Sequence, residues 1–368
     1  MTAKRVLVIG GTGYFGKILV QDLLQYTDFH IVAAGRSAGK LQEMRTELSA
    51  YNSRFFNKVI DLNNTIHCNE GIKGNDIVIC AAGPFQDIPI TLANACMDKS
   101  IPYIDLADDR EYVMRVRKLF EQLKPSSSVC TGWSSVPALS GALVNIARKE
   151  LDKINSIQIQ IAPGNKAPRG FSTVTSLISS IGKDFTVMQN GSWTNVKGWS
   201  QPQDFKFPTP IGNKTGYLVD VADHELFPTH FSADTVQFRA GAEIGLFNSG
   251  MSLLASLTNS GSIKNLRDMS GMLQMAMSAF GFLGHDWGAL GVEVQGLSGD
   301  KQKTIRLSVV AEHQGQQIPV MPASIMCKRI LEGSTEASGL VPFDTWIGRE
   351  ELEAECAKRN YRLVIERD

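Results

Sequence analysis

The chain has 368 residues, 43% of them hydrophobic and 20% charged, the composition of a soluble globular protein long enough for two domains. Lys plus Arg and Asp plus Glu each number 37, so the formal net charge is zero, which argues against a broad electrostatic nucleic-acid binder. Six cysteines (Cys68, Cys80, Cys96, Cys130, Cys327, Cys356) are scattered with no C-x-x-C pair, which excludes a zinc ribbon or disulfide framework and points to a reducing, cytoplasmic compartment.

The first apolar run, Val6 to Ile9, has the aliphatic character of a strand buried on both faces, so no secretory signal is expected. A glycine turn follows: Gly10, Gly11, Thr12, Gly13, Tyr14, Phe15, Gly16. A helical pattern with Phe15, Ile18, Leu19 and Leu23 on one face leads to a second apolar run, Ile31 to Ala34, which completes one βαβ unit. Both G-x-G-x-x-G and G-x-x-G-x-x-G spacings are satisfied. Strand, turn, helix and strand are all present, so the turn reads as a dinucleotide site: a tight bend, close backbone approach to a diphosphate, and close helix packing at Gly16. The N–H groups of Gly13, Tyr14 and Phe15 are expected to face the anion at the helix N-terminus.

NAD sites usually carry an Asp or Glu at the end of the second strand, to bond the ribose 2′-OH. Here Arg36 and Ser37 follow Gly35, Lys40 lies one turn later, and no carboxylate occurs before Glu43. That pattern suits a 2′-phosphate, so NADP(H) is the expected cofactor and NAD(H) the alternative.

A helix is expected from Ala38 to Ser49 and a third strand from Lys58 to Leu62. Asp61 and Leu62 either border an adenine or end the strand, and Asn63, Asn64 and Thr65 support a turn. The fourth strand, Asp76 to Cys80, ends in Ala81, Ala82, Gly83 and Pro84, small residues that would let backbone approach the nicotinamide ribose or pack strand on helix. After a helix from Pro89 to Asp98 comes a fifth, short strand, Pro102 to Asp108, ending in carboxylates. Tyr103 and Asp105 share a face and form the candidate proton-transfer pair, the alternative being a buried aspartate satisfied by amides. Asp108 with Glu111 reads as a capping box for the helix Arg110 to Lys124, whose stripe is Val113, Val116, Phe120 and Leu123. A sixth strand, Ser128 to Thr131, precedes Trp133, Ser134 and Ser135, candidates for substrate contact. Pro137 is expected at the first helical position, with Ser134 or Ser135 as cap.

The motifs GGTGYFG, AAGRS, ICAAGPFQ, YIDLADDREYV and TGWSSVPALSGALV, spread over residues 4–150, together resemble the saccharopine dehydrogenase-like NAD(P)-binding oxidoreductases. The resemblance implies a Rossmann doubly wound parallel sheet followed by a second α/β domain with an open mixed sheet. It also implies hydride transfer to or from a C=N or C=O carbon of a small-molecule substrate held in the cleft between the domains, with a homodimer as the expected assembly.

The expected domains are 1–135, 136–335 and a C-terminal segment, 336–368, packing back on the first. In the second half, polar–apolar alternation marks strands at Ser156–Ile161, Gly216–Val221, Thr235–Ala240, Gly291–Leu297 and Thr304–His313. Helices are expected at about 172–189, 246–282, 322–331 and 349–359, and residues 190–210 read as a lid or a long connection. Met269 to Gly284 is too short and polar for a membrane span, a membrane-surface contact being the alternative. Arg169, after a Pro/Gly loop, would suit a substrate carboxylate; Lys166, His224, Arg239, His285 and Asp286 are isolated polar candidates, His285-Asp286 as an oriented base. Neither H-x-x-x-H nor G-x-S-x-G occurs. The rival readings are a non-catalytic NADP(H)-binding sensor or scaffold, and a lipid-linked enoyl reductase.

Overall fold

The computed structural model describes residues 3–166, 175, 178, 180–259, 283–334 and 338–368. Arg169 and residues 269–282 of the apolar stretch lie outside the described residues. The chain divides into two compact units, Met1–Ala138 with Pro319–Trp346, and Leu139–Ile318 with Ile347–Asp368. This differs from the expected 1–135, 136–335 and 336–368. The helix Met321–Leu331 belongs to the first unit, where it packs on β-strands and a helix. The tail is divided too: Gly339–Leu340 completes the first sheet and Tyr361–Arg367 the second.

The first unit is built on β1 (Arg5–Ile9), β2 (His30–Gly35), β3 (Phe55–Val59), β4 (Ile77–Cys80), β5 (Tyr103–Asp105) and β6 (Ser128–Cys130). They lie parallel in the order 3-2-1-4-5-6, with Gly339–Leu340 beside β6. Val6, Leu7, Val8, Ile77, Val78, Ile79 and Cys80 are fully buried, as expected of strands covered on both faces. The connecting helices are α1 (Tyr14–Tyr26), α2 (Ala38–Glu47), α3 (Thr65–Gly71), α4 (Thr91–Asp98) and α5 (Arg110–Leu123). The buried face of α1 is Gly16, Leu19, Val20, Leu23 and Leu24, while Phe15 and Ile18 are only half-buried.

Three local expectations are displaced. The third strand lies at Phe55–Val59 rather than Lys58–Leu62, because Ile31 to Gly35 of β2 pair with Phe55 to Val59. As an edge strand it needs no solid apolar run, and the pair Phe55-Phe56 supplies the β-prone residues. The turn expected after Asp61 is present, Asn64 N bonding Asp61 O at 3.1 Å, but Thr65 already opens α3, because the Asn64 side chain accepts from the Ile66 and His67 amides at 3.0 and 3.1 Å and caps a helix. The cap of α5 is Asp109, which accepts from Tyr112 N at 2.8 Å, not Asp108. Its buried stripe consequently runs through Tyr112, Val113, Val116 and Leu119, leaving Leu123 39% exposed.

The second unit is a nine-stranded mixed sheet with α6 (Ser140–Arg148) packed on it. Its strands are β7 (Lys153–Pro163), β8 (Asp184–Gln189), β9 (Ser192–Lys197), β10 (Gln203–Lys206), β11 (Asn213–Leu218), β12 (Thr235–Ala240), β13 (Gly288–Ser298), β14 (Lys301–Ala311) and, after β15 (Gly339–Leu340) of the first sheet, β16 (Tyr361–Arg367). The order is 10-11-12-7-13-14-16, with β8 on β12 and β9 on β8. The expected alternation is present: Ile157, Ile159, Val292, Val294, Leu307 and Val309 are buried, while Gln158, Glu293 and Arg306 form a polar row on the other face. Segments read as helix end and as lid instead hold the β8–β9 hairpin and β10. At the hairpin tip Asn190 and Gly191 both have positive φ, 49° and 76°, the backbone a two-residue turn between twisted strands requires. Among the described residues no helix is long and apolar enough to cross a membrane.

Candidate dinucleotide-binding site

The order 3-2-1-4-5-6 reverses direction between β1 and β4, and ligands of such sheets lie outside the carboxyl ends of the strands at that reversal. The glycine turn sits there. Gly10 has φ +77°, and a Cβ on it would stand 2.6 Å from Ala82 N, so the end of β4 touches the turn. A Cβ at Gly16 would stand 2.0 Å from Gly10 O, so α1 starts as close to the turn as backbone allows. Gly13 is the N-cap of α1 and no side chain caps it, which leaves the positive end of the helix open to an anion. Of the three amides expected to face that anion, Gly13's donates instead to Gly10 O at 2.8 Å, tightening the turn.

At the end of β2, Arg36, Ser37 and Lys40 are all exposed. The Ser37 hydroxyl accepts from Lys40 N at 3.3 Å and caps α2. Thr12 lies close by, since a Cβ on Gly35 would be 3.1 Å from its hydroxyl. Asp61 accepts from Asn63 N at 3.1 Å, an Asx turn, and Leu62 is nearly buried beside it. Past β4, the Ala81 amide bonds Ile9 O at 2.9 Å, Ala82 and Pro84 are half-buried, and Gly83 is exposed.

Tyr103 and Asp105 are both fully buried. The Tyr103 hydroxyl is engaged with that of Tyr112 at 2.8 Å, and burial pushes it well above its ordinary pKa. Asp105 Oδ1 accepts from the amides of Gly132, 2.8 Å, and Ala107, 3.1 Å, and so ties the ends of β5 and β6 together. Burial pushes the Asp105 carboxyl up to about 6, against the pull of those amides and of the Thr131 and Tyr103 hydroxyls. The loop it holds begins at Gly132, φ +79°, folded onto the Pro137 ring. Within it Trp133 and Ser134 are buried and Ser135 is half-buried. The expected serine cap is absent: Val136 before Pro137 is extended, φ −133° and ψ 138°, and regular helix begins only at Ser140 with no side-chain cap. A residue preceding proline avoids the helical region, which is the reason.

The polar candidates of the second unit separate by burial. His224 is buried and accepts from Phe238 N at 2.9 Å, a structural role. Arg239, 4% exposed, donates to Gln158, Gln237 and the Gln201 carbonyl, and burial lowers its pKa to about 10. Lys166 is exposed. His285 pairs with Glu243 at 2.6 Å, and Asp286 with His313 at 3.1 Å. Glu243 is the residue missed in the sequence; its signal was a lone carboxylate three positions past the strand ending at Ala240. Among the described residues no group of three or more His, Cys, Asp or Glu is placed to hold a metal ion.

Fold and turn define a dinucleotide-binding Rossmann unit joined to a second α/β unit. Residues 6–129 match the family described as saccharopine dehydrogenase NADP binding domain. Among solved structures the chain is similar to apo saccharopine dehydrogenase (L-Glu forming) from Saccharomyces cerevisiae, at 13% identity and TM-score 0.71 over 100% of both chains. At that identity the likeness is one of fold. A probable dehydrogenase from Thermotoga maritima aligns at 10% identity and TM-score 0.45, covering 89% of each chain. GenD2 from gentamicin A biosynthesis, in complex with NAD, aligns at 10% identity and TM-score 0.43, over 91% of this chain and 88% of that one. Among curated protein sequences no match was found.

Two outcomes are expected at this site. Gly16→Ala places a methyl against backbone that cannot yield; it should cost at least about 2 kcal/mol and abolish dinucleotide binding. Gly39→Ala, whose Cβ meets nothing nearer than 3.9 Å, should be tolerated. Thermal melts and nucleotide titration of the two variants check this. Asp105 has a raised folded-state pKa, so the stability it contributes is full below the unfolded value near 4 and is lost as pH rises through about 6. Asp105→Asn keeps an acceptor for both amides without the charge. Its stability relative to wild type should therefore rise by about 2–3 kcal/mol between pH 4 and pH 7, read from denaturation across that range.

Proposed function

We propose that the protein is an NADP(H)-dependent oxidoreductase that moves hydride between the nicotinamide and a C=N or C=O carbon of a small molecule. The observation that carries this reading is the uncapped start of α1 behind the glycine turn, with Arg36 exposed at the end of the adjoining strand and no carboxylate between it and Glu43 in the sequence. The diphosphate would lie against Gly11 to Phe15, and Arg36 with Lys40 would hold the 2′-phosphate by charge-assisted bonds. A carboxylate at the end of β2, which would repel that phosphate, is replaced here by glycine and arginine.

When bound, the cofactor supplies the hydride at C4 of its nicotinamide. Ala81, Ala82 and Gly83 offer a low-profile backbone surface beside the turn, suited to the nicotinamide ribose. Trp133, Ser134 and Ser135 follow the end of β6 and are the substrate-facing candidates of the first unit. Asp105 is read as a positioning residue for Gly132 rather than as a proton donor, since it is fully buried and bonded to two amides. Tyr103 is likewise engaged behind it.

That burial favours the second reading, a protein that binds NADP(H) without turning over a substrate. Loss of NADPH absorbance with keto acids alone, with keto acid and amine pairs, and with lipid-type carbonyls separates the two. Turnover is expected with at least one carbonyl or imine-forming pair. Tight NADPH binding with no oxidation across the panel would leave only the non-catalytic reading.

A further inference from the structure

We propose that His285, held by Glu243, forms a proton-transfer site on the second unit, one that takes a proton from, or returns it to, a carbon or heteroatom of a small organic ligand. The site goes beyond the NADP(H) reading and does not rest on it.

Glu243 is the anchor. Its side chain is only 8% exposed, and its Oε2 accepts from the amides of Asn165, 2.7 Å, and His285, 3.0 Å. Burial works against its charge, but the His285 ring and those two amides hold its pKa below the usual carboxylate range. It is therefore an ionised carboxylate at neutral pH. Gly284, φ +88°, makes the approach possible, since a Cβ there would stand 2.5 Å from Oε2.

The second carboxylate oxygen, Oε1, lies 2.6 Å from His285 Nδ1. An ionised carboxylate only accepts, so Nδ1 carries the hydrogen, and Nε2 is the nitrogen that gains and loses a proton. The same ring stacks on Trp287 at 5.8 Å between centroids and 24° between planes. Two contacts thus fix a side chain that is 67% exposed. Holding an exposed ring costs conformational entropy and returns little stability. The amide bonds to Oε2 alone would suffice to tie the loops together. A ring held in one tautomer with its basic nitrogen turned outward is what a general base requires.

Position in the fold agrees. Glu243 follows β12 by three residues and Asn165 follows β7 by two, and these strands are parallel, so both lie at carboxyl ends of strands. His313 and Asp286 form a superficially similar pair, but Asp286 is 42% exposed and 3.1 Å away, an ordinary surface contact. That pair serves as the internal control.

The test uses the full-length protein without nucleotide and 5-nitrobenzisoxazole as probe. Removal of its ring C–H proton by imidazole breaks the N–O bond, and the C–H electron pair becomes part of a nitrile while the oxygen leaves as a coloured phenolate. No oxidant or reductant is consumed. Wild type should exceed His285→Ala by about a hundredfold in second-order rate constant, and Glu243→Gln should lose about tenfold. His313→Ala should match wild type. Equal rates for wild type and His285→Ala, an exposed position where folding is not at stake, would overturn the proposal. Full rate in a folded Glu243→Gln variant would overturn the role given to Glu243. Nitrogen-15 shifts of the His285 ring give a second reading: the Nδ1–H tautomer should predominate in wild type and lose that predominance in Glu243→Gln.

Discussion

The first unit depends on one close approach of backbone to backbone, that of Gly16 to Gly10. A side-chain carbon at position 16 would stand 2.0 Å from the Gly10 carbonyl oxygen, closer than any nonbonded pair tolerates. Because nothing is there, α1 starts directly above the end of β1. Its first turn is presented to whatever lies at the sheet's reversal point. Gly10 makes the second close approach, to Ala82 at the end of β4. The neighbouring strands that flank the reversal are thus joined through glycine surfaces.

The two sheets solve different problems with the same residue types. In the first, the central strands covered on both faces read as solid apolar runs, Val6–Ile9, Ile31–Ala34 and Ile77–Cys80. Asp105, buried at the carboxyl end of β5, joins that end to the end of β6 through Gly132 and Ala107. In the second sheet β7, β13 and β14 alternate, so that one face is apolar and the other carries glutamines, a glutamate and an arginine. Functional side chains then have to come from loops at the strand ends, which is where Glu243 and His285 are found.

Legibility in the sequence followed this difference. Apart from α3, the order of elements through Ile146, the turn geometry and the alternation in the second half were readable, because buried parallel strands and half-covered strands leave distinct periodicities. Boundaries were less so. Phe55–Val59 was displaced because an edge strand lacks the apolar run, and Asp109 rather than Asp108 caps α5 because adjacent aspartates offer equivalent caps. The hairpin at Asn190-Gly191 carried a readable signal that was overridden by a helical reading of the residues before it. Long-range partners were not readable at all. Nothing local indicates that Gly339–Leu340 joins β6, that Tyr361–Arg367 joins β14, or that Glu243 meets His285.

The central claim is that the glycine turn binds a dinucleotide and that Arg36 selects its 2′-phosphate. Fluorescence titration of wild type and Arg36→Ala with NADPH and NADH tests it most directly. The account predicts that wild type binds NADPH at least about tenfold more tightly than NADH, as loss of one charge-assisted phosphate contact implies. It also predicts that Arg36→Ala removes the difference while NADH affinity is unchanged. Equal affinities in wild type, unaffected by the substitution, would contradict the role of Arg36, and binding of neither nucleotide would contradict the dinucleotide site itself.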